Sequence, residues 1–163
     1  MKTSNEYNEN IKNRIITPIM LAECIYSVNK RAKNYRDKIF EFDSIKRNNP
    51  HWTDKFGNVE NWAAKIDEYY NMKEKMLSLL KPKCIHRKPK TGEYFFCYSI
   101  CNYSFHSPID DYSEDMYEKY EVIDVNFSTE GKEVKSLVSV QLVNKVIDLI
   151  NSKDYTFEYA ENA

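Results

Sequence analysis

A heptad pattern of apolar and small residues in the first third of the chain predicts one long helix. The pattern alternates steps of four and three residues along Leu21, Ile25, Val28, Ala32, Tyr35, Ile39 and Phe42. This spacing places these side chains on one side of a helix. Thr17-Pro18 predicts its start, because Thr caps free N–H groups and Pro suits the first helical position. Asn48-Asn49-Pro50 predicts its end.

A second helix is predicted from Asn58 to Leu80, before Pro82. Its apolar seam is interrupted by Lys73. The short loop "HWTDKFGN" joins the two helices. Two long amphipathic helices with a short connection predict an antiparallel helical hairpin over residues 17–81. Residues 1–16 are polar, lack an apolar signal core and are expected to be a flexible N-terminus.

The apolar period changes to two after Pro82, which predicts strands near 84–86, 94–105, 123–127 and 155–159. Lys90–Glu93 is expected to form a hairpin turn. A helix from Ser136 or Ser139 to Ile150 is apolar nearly all round, so it should pack on the sheet. We therefore predict an α+β fold in one domain, 1–163. An N-terminal antiparallel helical hairpin is followed by a small antiparallel β-sheet with one packed C-terminal helix, over 82–160.

The charges divide the chain into a basic and an acidic half. Residues 1–90 contain 19 Lys and Arg and 11 Asp and Glu, whereas residues 91–163 contain 5 and 14, and the whole chain has a net charge of −1. Such asymmetry indicates a charged partner. The alternative is that the halves neutralise each other within the fold or across a homodimer.

Catalytic and metal-binding patterns are weak in this chain. In a hairpin, the stretch "CIHRKPKTGEYFFCYSICNYSFHSPI" would place His86 opposite Cys97 and near Cys84. A fourth metal ligand is missing. We therefore favour cysteines packed in the core over a zinc site or a thiol nucleophile. Asp124, Glu133 and Lys135 could hold Mg²⁺ in a nuclease, although such patterns arise easily in a chain rich in Glu and Lys. We expect no enzyme activity, metal or cofactor, with a nuclease as an alternative.

Basic residues of the first helix avoid its apolar seam and should face solvent. Together with residues near the hairpin tip they suit phosphate contact and base stacking. These candidate nucleic-acid-binding residues are Lys30, Arg31, Lys33, Arg36, Lys38, Arg47 and Trp52. An ordinary solvated helix face is the alternative interpretation.

The acidic segment "IDDYSEDMYEKYE" is the second candidate surface. A row of carboxylates could dock into a basic groove in the place of nucleic-acid phosphates. The candidate partner-binding residues are Asp110, Asp111, Glu114, Asp115 and Glu118. A solvated loop is again the alternative.

"NYSFHSPI" followed by "SLVSVQLVNKVIDLI" resembles small uncharacterised proteins of phages and mobile elements in low-GC Gram-positive bacteria. The resemblance covers about the last eighty residues and transfers no functional residue. It implies an anti-defence role. The leading hypothesis is thus a non-catalytic protein that binds a protein or a protein–nucleic-acid complex, such as a CRISPR nuclease, as an inhibitor. The second hypothesis is a nucleic-acid-binding accessory protein that uses the basic hairpin.

No apolar run is long enough to cross a bilayer. We therefore expect the protein to be located in the cytoplasm of a bacterial host and to have no membrane partner.

Overall fold

The computed structural model describes residues 4–55, 57–80, 95–98, 103–106, 121–122 and 137–158. Most of this part of the chain is helical. The elements follow in the order α1 (Ser4–Lys12), β1 (Ile15–Ile16), α2 (Pro18–Asn48), α3 (Asn58–Leu80), β2 (Phe95–Tyr98), β3 (Tyr103–His106), β4 (Glu121–Val122), α4 (Val140–Ser152) and β5 (Thr156–Phe157).

The two long helices α2 and α3 pack side by side in opposite directions. Tyr35 stacks on Tyr69 with ring centroids 6.2 Å apart, and Phe42 lies 4.7 Å from Trp62. Later residues of α2 therefore meet earlier residues of α3, as in an antiparallel pair. The predicted start of α2 is confirmed, because the Met20 N–H donates to Thr17 Oγ1 over 3.3 Å.

The hydrophobic core lies at the base of this hairpin, away from its connecting loop. The first half of α2 packs against the last turns of α3 there, and residues of α1, β1 and α4 also belong to this core. The fully buried apolar side chains include Ile16, Met20, Leu21, Ile25, Met76, Leu80 and Val146. Toward the loop, α2 and α3 face each other, and the later heptad residues Ile39 and Phe42 are half-buried.

Buried polar contacts connect the elements around α2. The Tyr7 hydroxyl of α1 donates to Glu23 Oε2 over 3.1 Å inside the core. Ser27 Oγ accepts the Val138 N–H over 2.9 Å and donates to the Glu23 carbonyl over 2.8 Å. Buried polar groups require such partners, because an unsatisfied group costs free energy. Ser27 therefore fixes the segment that precedes α4 onto α2.

The N-terminus is not the flexible stretch that the sequence predicts. Ser4–Lys12 form α1, which packs against α4, and β1 pairs in parallel with β5. The Thr156 N–H donates to the Arg14 carbonyl over 2.8 Å, and the Glu158 N–H donates to the Ile16 carbonyl over 2.9 Å. The two ends of the described chain are thus joined by backbone hydrogen bonds, which no local sequence pattern signals.

The predicted fold class is wrong. The described part of the chain is mostly helical, and its last strand lies parallel to β1 instead of joining an antiparallel sheet. The predicted strand 94–105 is not continuous: β2 and β3 pair antiparallel with each other, and β4 pairs with β2. The helix α4, expected on the sheet, packs mainly against α1 and α3. Apolar periodicity shows that a face is buried but not which element covers it.

Within the described ranges, no helix has both the length and the hydrophobicity that crossing a bilayer requires.

Candidate nucleic-acid interface

One side of the helical hairpin carries a continuous group of basic residues. At about 100° per residue, Lys30, Lys33 and Arg36 project from neighbouring directions on α2. All three are exposed. Lys73 of α3 joins them, because its ammonium and the Arg36 guanidinium both lie over the ring of Tyr70, at 4.7 and 5.9 Å from the centroid. We call these four residues the basic flank.

Aromatic rings, more than carboxylates, hold these cations. Lys30 lies 5.6 Å from the centroid of Tyr26, in addition to the two contacts with Tyr70. Among the described ion pairs, that of Lys33 with Asp37, at 4.0 Å, is the one that involves the basic flank. A ring orients a cation without neutralising its charge. The basic flank therefore keeps a positive potential that a phosphate can use.

Lys73 is the residue of this site that the sequence analysis did not identify. It occupies a seam position and is half-buried between the helices. Burial lowers the pKa of its ammonium; Glu74 acts in the opposite direction, and Arg36 lowers the pKa further. A charge kept where an apolar side chain would pack better is typical of functional sites. The sequence signal was the interruption of the α3 seam by a lysine.

We expect Lys73→Met to raise the free energy of unfolding by about 0.5–1 kcal/mol near neutral pH, since it removes a half-buried charge from a packed seam. The difference in the free energy of unfolding between the variant and the wild-type protein should decrease at high pH. The pKa of Lys73 is lower in the folded state than in the unfolded chain, so the cost of its charge is fully present below the folded-state pKa and disappears as the pH rises from there past the ordinary lysine value. Urea unfolding at two pH values measures the effect. Lys75→Met, at an exposed position, is the control, and a destabilised Lys73→Met variant would contradict the expectation.

The other predicted basic residues take different positions. Lys38 is exposed, but at about 100° per residue it projects about 160° away from Arg36. Its ammonium lies 5.2 Å from the ring centroid of Tyr35 and 5.8 Å from that of Trp62, and not over Tyr70. Arg47 is exposed in the last turn of α2. Neither is part of the basic flank.

Arg31 does not face solvent as predicted. It is half-buried, and its Nη1 atom is enclosed without a hydrogen-bond partner among the described residues. Its charge acts on the buried Tyr69, whose pKa is raised by burial and by Tyr35 and lowered by Arg31. The helical turn brings Arg31 to the α3 side of α2, because it is three residues from Val28 and four from Tyr35 in the seam. We therefore exclude it from the interface.

The hairpin tip forms an open groove that contains Trp52. This side chain is half-buried and meets Phe42 edge-on, with centroids 5.0 Å apart and planes at 90°. The groove has a volume of about 560 Å³ and is lined by Phe42, His51, Trp52, Thr53, Asp54, Lys55 and Asn58. Asp54 Oδ2 accepts the Val59 N–H over 2.8 Å, which attaches the loop to the start of α3. Trp52 is thus part of a shaped site and not a free aromatic.

The remaining candidate residues fall mostly outside the described ranges. This holds for the acidic residues Asp110, Asp111, Glu114, Asp115 and Glu118, for Asp124, Glu133 and Lys135, and for Cys84 and His86. Their predictions therefore stay predictions. The expected pairing of Cys97 with His86 is wrong, because Cys97 has Ser104 on one side and Val122 on the other, which occupies both edges of β2.

Among the described residues, the possible metal ligands are not clustered and the thiol of Cys24 is not accessible. No group of three or more His, Cys, Asp or Glu residues in them is arranged to hold a metal ion. Cys24 is fully buried, and burial, with a smaller contribution from Glu23, raises the pKa of its thiol. A thiol of this kind stays protonated and unreactive.

Comparisons with protein-family models, with curated proteins and with solved structures found no match to this chain.

Proposed function

We propose that this protein is a non-catalytic, cytoplasmic nucleic-acid-binding protein that contacts the phosphate backbone through the basic flank. The observation that carries the proposal is the convergence of Arg36 and Lys73, from two different helices, on the ring of Tyr70. Two like charges repel each other, and the charge of Arg36 contributes to the lowered pKa of Lys73. A bound phosphate between them would relieve this repulsion and form charge-assisted hydrogen bonds with both.

The dimensions of the basic flank suit a nucleic-acid backbone. Lys30 and Arg36 are six residues apart, which corresponds to about 9 Å along the helix axis. Each strand of a duplex carries one phosphate per about 3.4 Å of axis, so this length spans several phosphates. The rings of Tyr26 and Tyr70 hold the basic side chains in place. These side chains therefore lose less conformational entropy when they bind a phosphate. The surface is therefore complementary to a run of phosphates more than to a single anion.

The test is the salt dependence of binding. Fluorescence anisotropy with labelled single-stranded and duplex oligonucleotides, from 50 to 200 mM salt, should show affinity that falls steeply. About four phosphate contacts predict a log–log slope of about −3 to −4, from −0.7 per contact on single strands and −0.9 on duplex DNA. The oligonucleotides should be recovered intact. Absence of binding to any DNA or RNA at the lowest salt would refute the proposed function.

A further inference from the structure

A large apolar side chain is exposed beside the basic flank. Phe40 of α2 is 71% exposed, and the next such residue of the described ranges, Leu137, is 38% exposed. Within those ranges, Phe42 packs edge-on against Trp52 and Trp62, whereas the ring of Phe40 contacts no other aromatic ring and no cation. A single exposed apolar residue is common on protein surfaces, so its meaning depends on its neighbours.

The neighbours of Phe40 along α2 are basic. At about 100° per residue, Phe40 projects about 20° from the direction of Lys33 and about 40° from that of Arg36. It follows Arg36 by four residues, which is about 6 Å along the helix axis. Arg47, seven residues after Phe40, projects within about 20° of it and is exposed. Along the helix axis, the ring therefore lies between cations.

Carboxylates lie closest to the ring. Asp37, Glu41 and Asp43 are all exposed and lie within three residues of Phe40. Their negative charge disfavours a phosphate directly over the ring. A nucleobase is uncharged and has a flat face that stacks on an aromatic side chain, so it is compatible with this position. The surface thus offers cations for phosphates and, between them, a ring for a base.

The same carboxylates disfavour a lipid surface as the partner. A ring that enters a membrane brings its neighbours to the headgroups, where Asp37, Glu41 and Asp43 would meet anionic lipids. Helices that lie on membranes also use a broad apolar face, whereas the exposed side chains around Phe40 are charged. Charge complementarity therefore favours nucleic acid.

We infer that Phe40 stacks on an unpaired base while Lys33 and Arg36 hold phosphates of the same strand, so that the protein selects single-stranded nucleic acid. The bases of a duplex are stacked on each other and present only their edges in the grooves, whereas those of a single strand have open faces. This inference rests on the proposed function and deepens it. The basic flank supplies affinity for phosphates, and Phe40 adds the preference for a single strand.

The test varies the ring and the base independently. A 12-mer of thymine and a 12-mer of abasic sites carry the same phosphates, but the second has no bases. In anisotropy titrations, the wild-type protein should bind the thymine strand about 10-fold more tightly than the abasic strand, which corresponds to one stacked base. Phe40→Ala should bind both strands equally. The slope of its affinity against salt should equal that of the wild-type protein, because stacking releases no counterions.

Two further variants separate stacking from apolar contact. Phe40→Trp keeps an aromatic face and should retain the preference for the thymine strand, whereas Phe40→Leu keeps an apolar side chain and should lose the preference as Phe40→Ala does. A duplex of the same length should bind to the wild-type protein and to Phe40→Ala with equal affinity. Because Phe40 is exposed, the thermal unfolding midpoint should be unchanged in all three variants.

The two proposals fail in different ways. Equal, salt-dependent affinity of the wild-type protein for the thymine and abasic strands would overturn the stacking role and leave the basic flank intact. The same conclusion follows if Phe40→Ala or Phe40→Leu keeps the full preference. If Phe40→Ala weakens binding to vesicles of phosphatidylcholine and phosphatidylserine but not to the thymine strand, the ring contacts lipid and the inference is wrong. Absence of binding of the wild-type protein to every strand at low salt would overturn both proposals.

Discussion

Replacement of Lys30, Lys33 and Arg36 together by Glu is expected to weaken oligonucleotide binding by about 100-fold or more at 100 mM salt. Each replacement removes an attraction to phosphate and adds a repulsion, so the effect exceeds that of neutral substitutions. The slope of the affinity against salt concentration should also fall, because fewer counterions are released on binding. The three positions are exposed, so the fold should be retained. Anisotropy titrations at several salt concentrations measure both quantities.

The matched control reverses three lysines outside the basic flank, Lys65, Lys75 and Lys145. These are exposed; Lys75 donates to Asn151 of α4, and Lys145 donates to Asn8 of α1. The same change in net charge should here reduce affinity by less than 10-fold, through the long-range field alone. Lys38→Glu, at a lysine whose ammonium lies by Tyr35 and Trp62 instead of Tyr70, should resemble this control. If both triple variants lose affinity equally, the protein attracts nucleic acid by its overall charge and the basic flank is not the interface.

The Ile25→Ala substitution is expected to lower the free energy of unfolding by about 3 kcal/mol, whereas Ile39→Ala should cost about 1 kcal/mol or less. Both isoleucines belong to the same heptad seam. Ile25 is fully buried in the core at the base of the hairpin, but Ile39 is half-buried, nearer the loop that connects the two helices. A truncation at Ile25 leaves a cavity that many neighbours surround, and at Ile39 water can take the released space.

Urea unfolding followed by circular dichroism compares the two variants with the wild-type protein. Because the residue type, the helix and the seam are identical, the difference between them reports the tertiary environment alone. Phe40→Ala is a useful reference, since Phe40 is 71% exposed and its loss should change stability by less than about 0.5 kcal/mol. Equal costs at Ile25 and Ile39 would show that the core extends to the hairpin tip, contrary to the structure.

Much of the local structure could be predicted from single residues and their spacing. The cap at Thr17 and the helix that follows it are as expected. The helix α4 begins at Val140, directly after Ser139, which was one of the two predicted starts and whose Oγ accepts the Leu142 N–H over 3.2 Å. The start of α3 at Asn58 also agrees with the sequence. These features depend on short-range geometry, namely the free N–H groups of a first helical turn and the restrictions of Pro.

The candidate site could be predicted only in part. Lys30, Lys33 and Arg36 are exposed as expected, but Arg31, one residue from Lys30, turns toward α3 and is half-buried. Lys73 is a member of the site that the sequence showed only as a break in a pattern. Each of these outcomes depends on the side chains that a second element brings near.

The sequence by itself determined where α2 begins and ends, where α3 begins and which stripe of each is apolar, because caps and helical periodicity are properties of neighbouring residues. Only the tertiary structure decided what covers those stripes. It placed α4 on helices instead of a sheet, joined β1 to β5 in parallel, and brought Arg36 and Lys73 to the same ring. Arg36 and Tyr70 are 34 positions apart in the chain, and the paired residues Ile15 and Thr156 are 141 positions apart. At such separations the outcome depends on the packing of the whole molecule, which no local pattern encodes.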